Sequence, residues 1–197
     1  MTAAPKISAR PPAREVILGI DPGCIFTGWG VIELDGSQLR HGGHGVIATS
    51  TAAGQAERIK QIYRGIDEVI RRHRPAGVSL EKVFFSRNVQ SALKLGQARG
   101  VAMLAAAEHE IAVSEYSATE IKVGVVGYGH ATKEQIQKMV CALLGLRGAV
   151  RADAADALAA AICHIHRKTF QTRTGGAVKH HSAKGSWRYY TPVAAKR

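Results

Sequence analysis

The sequence predicts an α/β fold, a mixed five-stranded sheet flanked by helices. Three observations predict it: three β-rich runs follow one another near the start, apolar residues then recur at helical spacing, and two further short strands alternate with helices. Val16, Ile17, Leu18 and Ile20, broken only by Gly19, form the first strand at 16–21. Trp29, Val31, Ile32 and Leu34 mark a second at 28–34, and 39–49 a third, which together make an antiparallel meander. Residues 54–73 place Ile59, Ile62, Tyr63, Ile66 and Ile70 on one helical face, and Pro75 closes that helix. "GVSLE" reads as a short fourth strand, 90–109 as an Ala- and Gly-rich helix, and 111–115 as a fifth strand. A helix over 132–144 starts at a capping box made by Thr132 and Gln135, and a final helix spans 153–167.

The 197 residues, 46% of them hydrophobic, suffice for one domain with a full core. The net charge of +12 is uneven. Residues 1–14 carry +3 and 167–197 carry +8, each without an acid, while 15–166 are nearly neutral at +1. The organisation read from this is a basic leader over 1–14, a domain over 15–167 and a basic tail over 168–197. The tail interleaves Phe170, Trp187, Tyr189 and Tyr190 with its charges, which suits either a nucleic-acid-binding arm or a solubilising extension. No apolar run approaches the roughly 20 residues of a membrane span, and the first residues lack a signal-peptide core, so the expectation is a soluble, cytoplasmic protein. Cys24, Cys141 and Cys163 fit neither a disulfide framework nor a zinc pattern, and Cys163 and His166 in "CHIH" are too few ligands for zinc.

Carboxylates carry the chemistry. Asp21 ends the first strand and Glu81 ends the fourth, at the strand termini where ligands of such sheets collect. Asp153 and Asp156 lie three apart in the first turn of the final helix, on one face, within a run of alanines that should pack tightly on the sheet. An ionised carboxylate after an apolar strand must be solvated, paired or bound to a cation. Four of them make an all-oxygen set suited to Mg²⁺ or Mn²⁺, and two such ions can activate water and stabilise a leaving oxygen in phosphodiester cleavage.

Four blocks, "ILGIDPG…TGWGVI", "LEKVFFSRN…SALKLGQARGVA", "VVGYG…TKEQIQKMV" and "ADAADALAAAICH", resemble in order and spacing the RuvC family of bacterial Holliday-junction resolvases. The resemblance covers residues 16–166. It implies a ribonuclease H-like fold, catalytic roles for Asp21, Glu81, Asp153 and Asp156, and tolerance of substitution at Asp153, where some relatives have histidine. It implies a Mg²⁺-dependent endonuclease that acts on four-way junctions as a homodimer and leaves 5′-phosphate and 3′-hydroxyl ends. It further implies a short thymine-containing cleavage site and work beside the RuvA-RuvB branch-migration motor.

Phe84 matches the family's aromatic wedge, and an exposed ring there offers a stacking platform. Arg87 and Asn88 are candidate phosphate contacts, and Lys122 and Lys133 match basic positions near the scissile phosphate. The helix containing Gly96 and Gly100 is apolar on every side and needs cover from a core or from a second subunit, and the resemblance favours the second. Two rival readings are a sugar-kinase/actin/chaperone-type ATPase, whose phosphate loop also follows a strand with an acid and glycines, and a non-catalytic junction-binding protein. The chain is short for the first, and no second phosphate loop is visible.

Overall fold

The computed structural model describes residues 14–82 and 89–174. Strands β1 (Glu15–Asp21), β2 (Phe26–Asp35) and β3 (Gln38–Ala48) form the expected antiparallel meander. Strand β4 (Gly77–Glu81) then adds parallel to β1, and β5 (Val113–Tyr116) parallel to β4, giving the order β3-β2-β1-β4-β5. The parallel pairs require crossovers, and helices supply them. These helices are α1 (Gln55–His73) and α2 (Val89–Glu108), followed after β5 by α3 (Ala118–Val126), α4 (Lys133–Leu144) and α5 (Ala152–Thr174).

Alternation along the strands splits the core into two layers. Leu18, Ile20, Val31, Val78 and Leu80 face α1 and α2, where they meet Ile62, Ile66 and Ile70 and the alanines 98, 102, 105 and 106. Ile17 and Ile32 face the other way, onto Leu158 and Ile162 of α5 and Ile121 and Val140 of α3 and α4. Asp21 is in step with Ile17 and Gly19, so its carboxylate emerges on the α5 face. Glu81 is in step with Ser79, whose hydroxyl donates to the Ala160 carbonyl of α5 at 2.8 Å, and so emerges on the same face. Periodicity alone thus aims two acids from neighbouring parallel strands at one helix.

Helix α1 ends as expected, with Arg74 in the left-handed region at φ 46°, its N–H on the Ile70 carbonyl, and Pro75 barring continuation. Two elements differ from the expectation. The sequence reading assigns no element between 115 and 132, yet Ser117 and Glu120 form a capping box that opens helix α3 and Gly127 closes it at φ 89°. Helix α5 continues to Thr174 instead of ending at 167. Arg167 pairs with Glu120 at 2.7 Å and Lys168 with Glu15 at 2.5 Å, which ties the last turns of α5 to the domain.

Candidate active site

The site stands where β1, β4 and α5 meet. The turn after Asp21 is fixed by buried Thr27, whose hydroxyl donates to the Gly23 carbonyl at 2.7 Å, and by Thr49, which donates to the Cys24 carbonyl at 2.7 Å. Cys24 in turn donates its thiol to the Lys94 carbonyl of α2 at 2.8 Å. Across the β1–β2 ladder, Asp21 is opposite Gly28 and Gly19 opposite Gly30. A Cβ on Gly28 would lie 1.9 Å from the Asp153 carbonyl oxygen, and one on Gly19 equally close to that of Ala157. The two glycines therefore let the backbone of α5 rest directly on the sheet, which sets the height of its first turn above the strand tips.

Asp21, Glu81 and Asp156 line one cleft of about 390 Å³, together with Lys122 of α3 and Lys133 of α4. Lys133 Nζ is 2.8 Å from an Asp156 carboxylate oxygen. The structure thus unites three of the four predicted carboxylates and both predicted lysines. Asp153 lies at the rim: it pairs with Arg151 at 3.3 Å, and the Arg151 guanidinium sits 4.5 Å over the Phe26 ring. Phe84, Arg87 and Asn88 lie outside the described residues.

Burial pushes Asp21 up to about 7 from an ordinary 3.8, with the charges of Asp156, Glu81 and Asp153 adding to the effect and Lys133 opposing it. Burial and then Asp156 also raise Glu81, against Lys133 and Lys122. The hydrogen bond to Asp156 holds Lys133 above the usual lysine range. Among the described residues, no three His, Cys, Asp or Glu side chains are already drawn together as a ligand set. What the cleft offers is an excess of desolvated negative charge, carried by oxygen donors alone.

Three features were missed in the sequence. Arg99 of α2 is 15% exposed, donates from Nη1 to the main-chain carbonyl of Glu81, and pairs through Nη2 with Glu115 of β5. It is the only charged residue between Lys94 and Glu108, which is a visible signal. Arg151 immediately precedes the aspartate helix, and its contact with Asp153 spans only two residues. The Cys24–Lys94 contact joins positions 70 apart, and nothing local announces it. In the "CHIH" stretch, Cys163 donates to the Glu120 carbonyl at 3.3 Å and the His166 ring meets the Gly124 carbonyl at 2.7 Å, so both tie α5 to α3.

On α2, Ala98, Ala102, Ala105 and Ala106 are buried against the sheet. Val89, Leu93 and Leu104 are 71%, 65% and 51% exposed, and a Cβ on Gly96 or Gly100 would meet nothing within 4 Å.

Comparison with known proteins matches this architecture to one family. Residues 17–164 match the family described as crossover junction endodeoxyribonuclease RuvC. The chain is 47% identical to the protein of that name from Pelobacter propionicus over 176 residues, which is 89% of this chain and 99% of the relative. It is 54% identical to that of Nitrosomonas eutropha over 153 residues, 78% of this chain and 85% of the relative. Among solved structures, the T. thermophilus RuvC in complex with Holliday junction substrate superposes with a TM-score of 0.76 at 37% identity, covering 80% of this chain and 97% of that one. The yeast mitochondrial resolvase Ydc2 shares the fold alone, with a TM-score of 0.60 at 11% identity over 80% of each chain. The mixed five-stranded sheet with its flanking helices is accordingly ribonuclease H-like, and the chain belongs to the RuvC family of crossover junction endodeoxyribonucleases.

Proposed function

We propose that this chain is a divalent-metal-dependent, structure-selective endonuclease that resolves four-way DNA junctions by paired nicks in strands of like polarity, leaving 5′-phosphate and 3′-hydroxyl ends. The observation that carries the reading is the opening of Asp21, Glu81 and Asp156 onto one cleft whose surplus negative charge is offset by two lysines. That donor set contains no nitrogen or sulfur, which suits Mg²⁺, two ions per site, with Mn²⁺ as a substitute. Asp21, Glu81 and Asp156 would hold the metal, with Asp153 completing the set from the rim. When bound, Mg²⁺ supplies Lewis-acid activation of the attacking water and stabilisation of the departing 3′ oxygen.

The remaining work falls to the chain. Lys133 and Lys122 place positive charge beside the carboxylates, where a phosphate must approach against like charge. Arg151, stacked on Phe26, pairs with the Asp153 carboxylate and restrains it beside the cleft. Phe84 would stack on an unpaired base at the crossover, with Arg87 and Asn88 on nearby phosphates. The uncovered apolar stripe of α2, with Gly96 and Gly100, supports a homodimer whose two-fold axis matches the pseudo-symmetry of a junction. The T. thermophilus relative with its Holliday junction substrate supports the same substrate here. Within this reading the enzyme serves recombination and repair in the bacterial cytoplasm beside RuvA-RuvB.

The test is cleavage of an end-labelled synthetic four-way junction, with and without Mg²⁺, against a linear duplex of the same sequence, by wild type and Asp21→Asn. Symmetric, ligatable nicks on the junction alone, lost in the variant while binding persists, are expected. Binding without nicks in either Mg²⁺ or Mn²⁺, over several core sequences, would leave a junction-binding protein and end the reading.

A further inference from the structure

The ion pair of Arg99 with Glu115 could simply bolt α2 to β5, yet one arm of the guanidinium reaches past it to the carbonyl of Glu81. That carbonyl belongs to the last residue of β4, where the ladder ends with the Lys82 N–H on Tyr116. A strand terminus has fewer backbone bonds than its interior and is free to fray. Arg99 adds a restraint at the residue whose side chain enters the cleft. It does so from a helix whose only other charged residues are Lys94 and Glu108, where a half-buried cation is costly unless both arms are occupied.

The opposite strand tip is held from the same helix. The Cys24 thiol donates to the Lys94 carbonyl one and a half turns earlier on α2, fixing the turn three residues after Asp21. One rigid helix thus contacts both carboxylate-bearing strand ends, from the face of the sheet away from the cleft.

We propose that Arg99 is a positioning residue for phosphodiester cleavage: by bridging the Glu81 carbonyl and the Glu115 carboxylate, it fixes the main chain from which the Glu81 side chain enters the site. The proposal rests on the nuclease reading, in which Glu81 is catalytic. The guanidinium fork serves two acceptors at fixed separation, which an ammonium cannot reproduce. A displacement of about 1 Å at a catalytic group is enough to cost about 10²-fold in rate.

The test uses the full chain and four variants, Arg99→Met, Arg99→Lys, Glu115→Gln and Ile66→Val. The last thins the core on the same side of the sheet without touching either strand tip and serves as a control for lost stability. Junction affinity by mobility shift without metal, sedimentation mass, urea midpoint, single-turnover cleavage against Mg²⁺ concentration, and the Mn²⁺-induced shift in melting temperature are measured for each. Arg99→Met should keep junction affinity and oligomeric mass within twofold of wild type, lose roughly 10- to 100-fold in cleavage rate, and need more Mn²⁺ for the same thermal shift. Arg99→Lys should stay closer to Arg99→Met than to wild type. Glu115→Gln, which leaves the bond to the Glu81 carbonyl, should lose no more than about threefold on the same scale. If Arg99→Met fails to fold, the decision passes to the other pair: Arg99→Lys slower than Glu115→Gln supports the proposal, and equal rates overturn it. The proposal also falls if Arg99→Met cleaves like wild type, or if its loss in rate matches that of Ile66→Val at equal loss of stability. A wild type that binds junctions without cutting them removes the nuclease reading itself, and this role with it.

Discussion

The Asp153 carbonyl rests on Gly28 so closely that a methyl group in place of one hydrogen would lie 1.9 Å from it. A sheet residue and a helix residue far apart in sequence thereby share one backbone contact. Gly28→Ala must push the first turn of α5 off the strand tips. The expected cost is about 2–3 kcal/mol, read by urea unfolding, because overpacking against backbone finds no flexible neighbour to yield. Cleavage should fall further than stability at temperatures where the variant is still folded. A variant as stable as wild type would mean that α5 lifts freely, and the account of how Asp153 and Asp156 are placed would be wrong.

The metal-free protein should lose stability as pH rises. Asp21 takes up its proton near pH 7 in the fold but near 3.8 in the unfolded chain. Between these values the folded state binds the extra proton, so stability declines as pH rises from about 4 to about 7 and then levels off. Glu81 is raised as well and contributes with the same sign. Asp21→Asn removes the larger share, so with EDTA present its advantage over wild type should grow through that window to on the order of 2–4 kcal/mol at pH 8. Parallel stability curves for the two proteins would contradict the assignment.

Lys133→Met removes the cation 2.8 Å from Asp156. The lysine is solvent-screened, so the stability cost should be about 1 kcal/mol or less. The cleavage rate should fall at least about tenfold at saturating Mg²⁺, because the approaching phosphate loses one of the two lysines that line the cleft. Arg at this position should restore part of the rate, which single-turnover assays would show.

Leu104→Glu places a charge in the exposed stripe of α2, away from the buried alanines. Sedimentation should shift from dimer towards monomer with the urea midpoint within about 0.5 kcal/mol of wild type. Paired nicks should give way to single, unpaired ones. An unchanged mass would contradict the proposed dimer contact on this stripe.

The strand tips were legible because period-two alternation fixes a side chain's face, and Asp21 and Glu81 inherit theirs from Ile17 and Ser79. The position of Asp156 followed in the same way from helical spacing and the alanine run. Helix α3 was not legible: Val123, Gly124, Val125 and Val126 suggest anything but a helix, and only the Ser117–Glu120 box declares one. The pairing of Asp153 with Arg151 joins residues two apart, which helical spacing does not report. Arg99 escaped notice because its meaning lies in the backbone it grips, and pairings of that kind depend on how α2 crosses the sheet.

The distance along the chain between Asp21 and Asp156 has a consequence in time. The first carboxylate leaves the ribosome with the first strand, while the helix bearing Asp156 follows all five strands and can dock on Gly19 and Gly28 only after its own release from the exit tunnel. A nascent chain in which α5 has not yet docked therefore has no assembled carboxylate cleft, whatever its sheet has already formed.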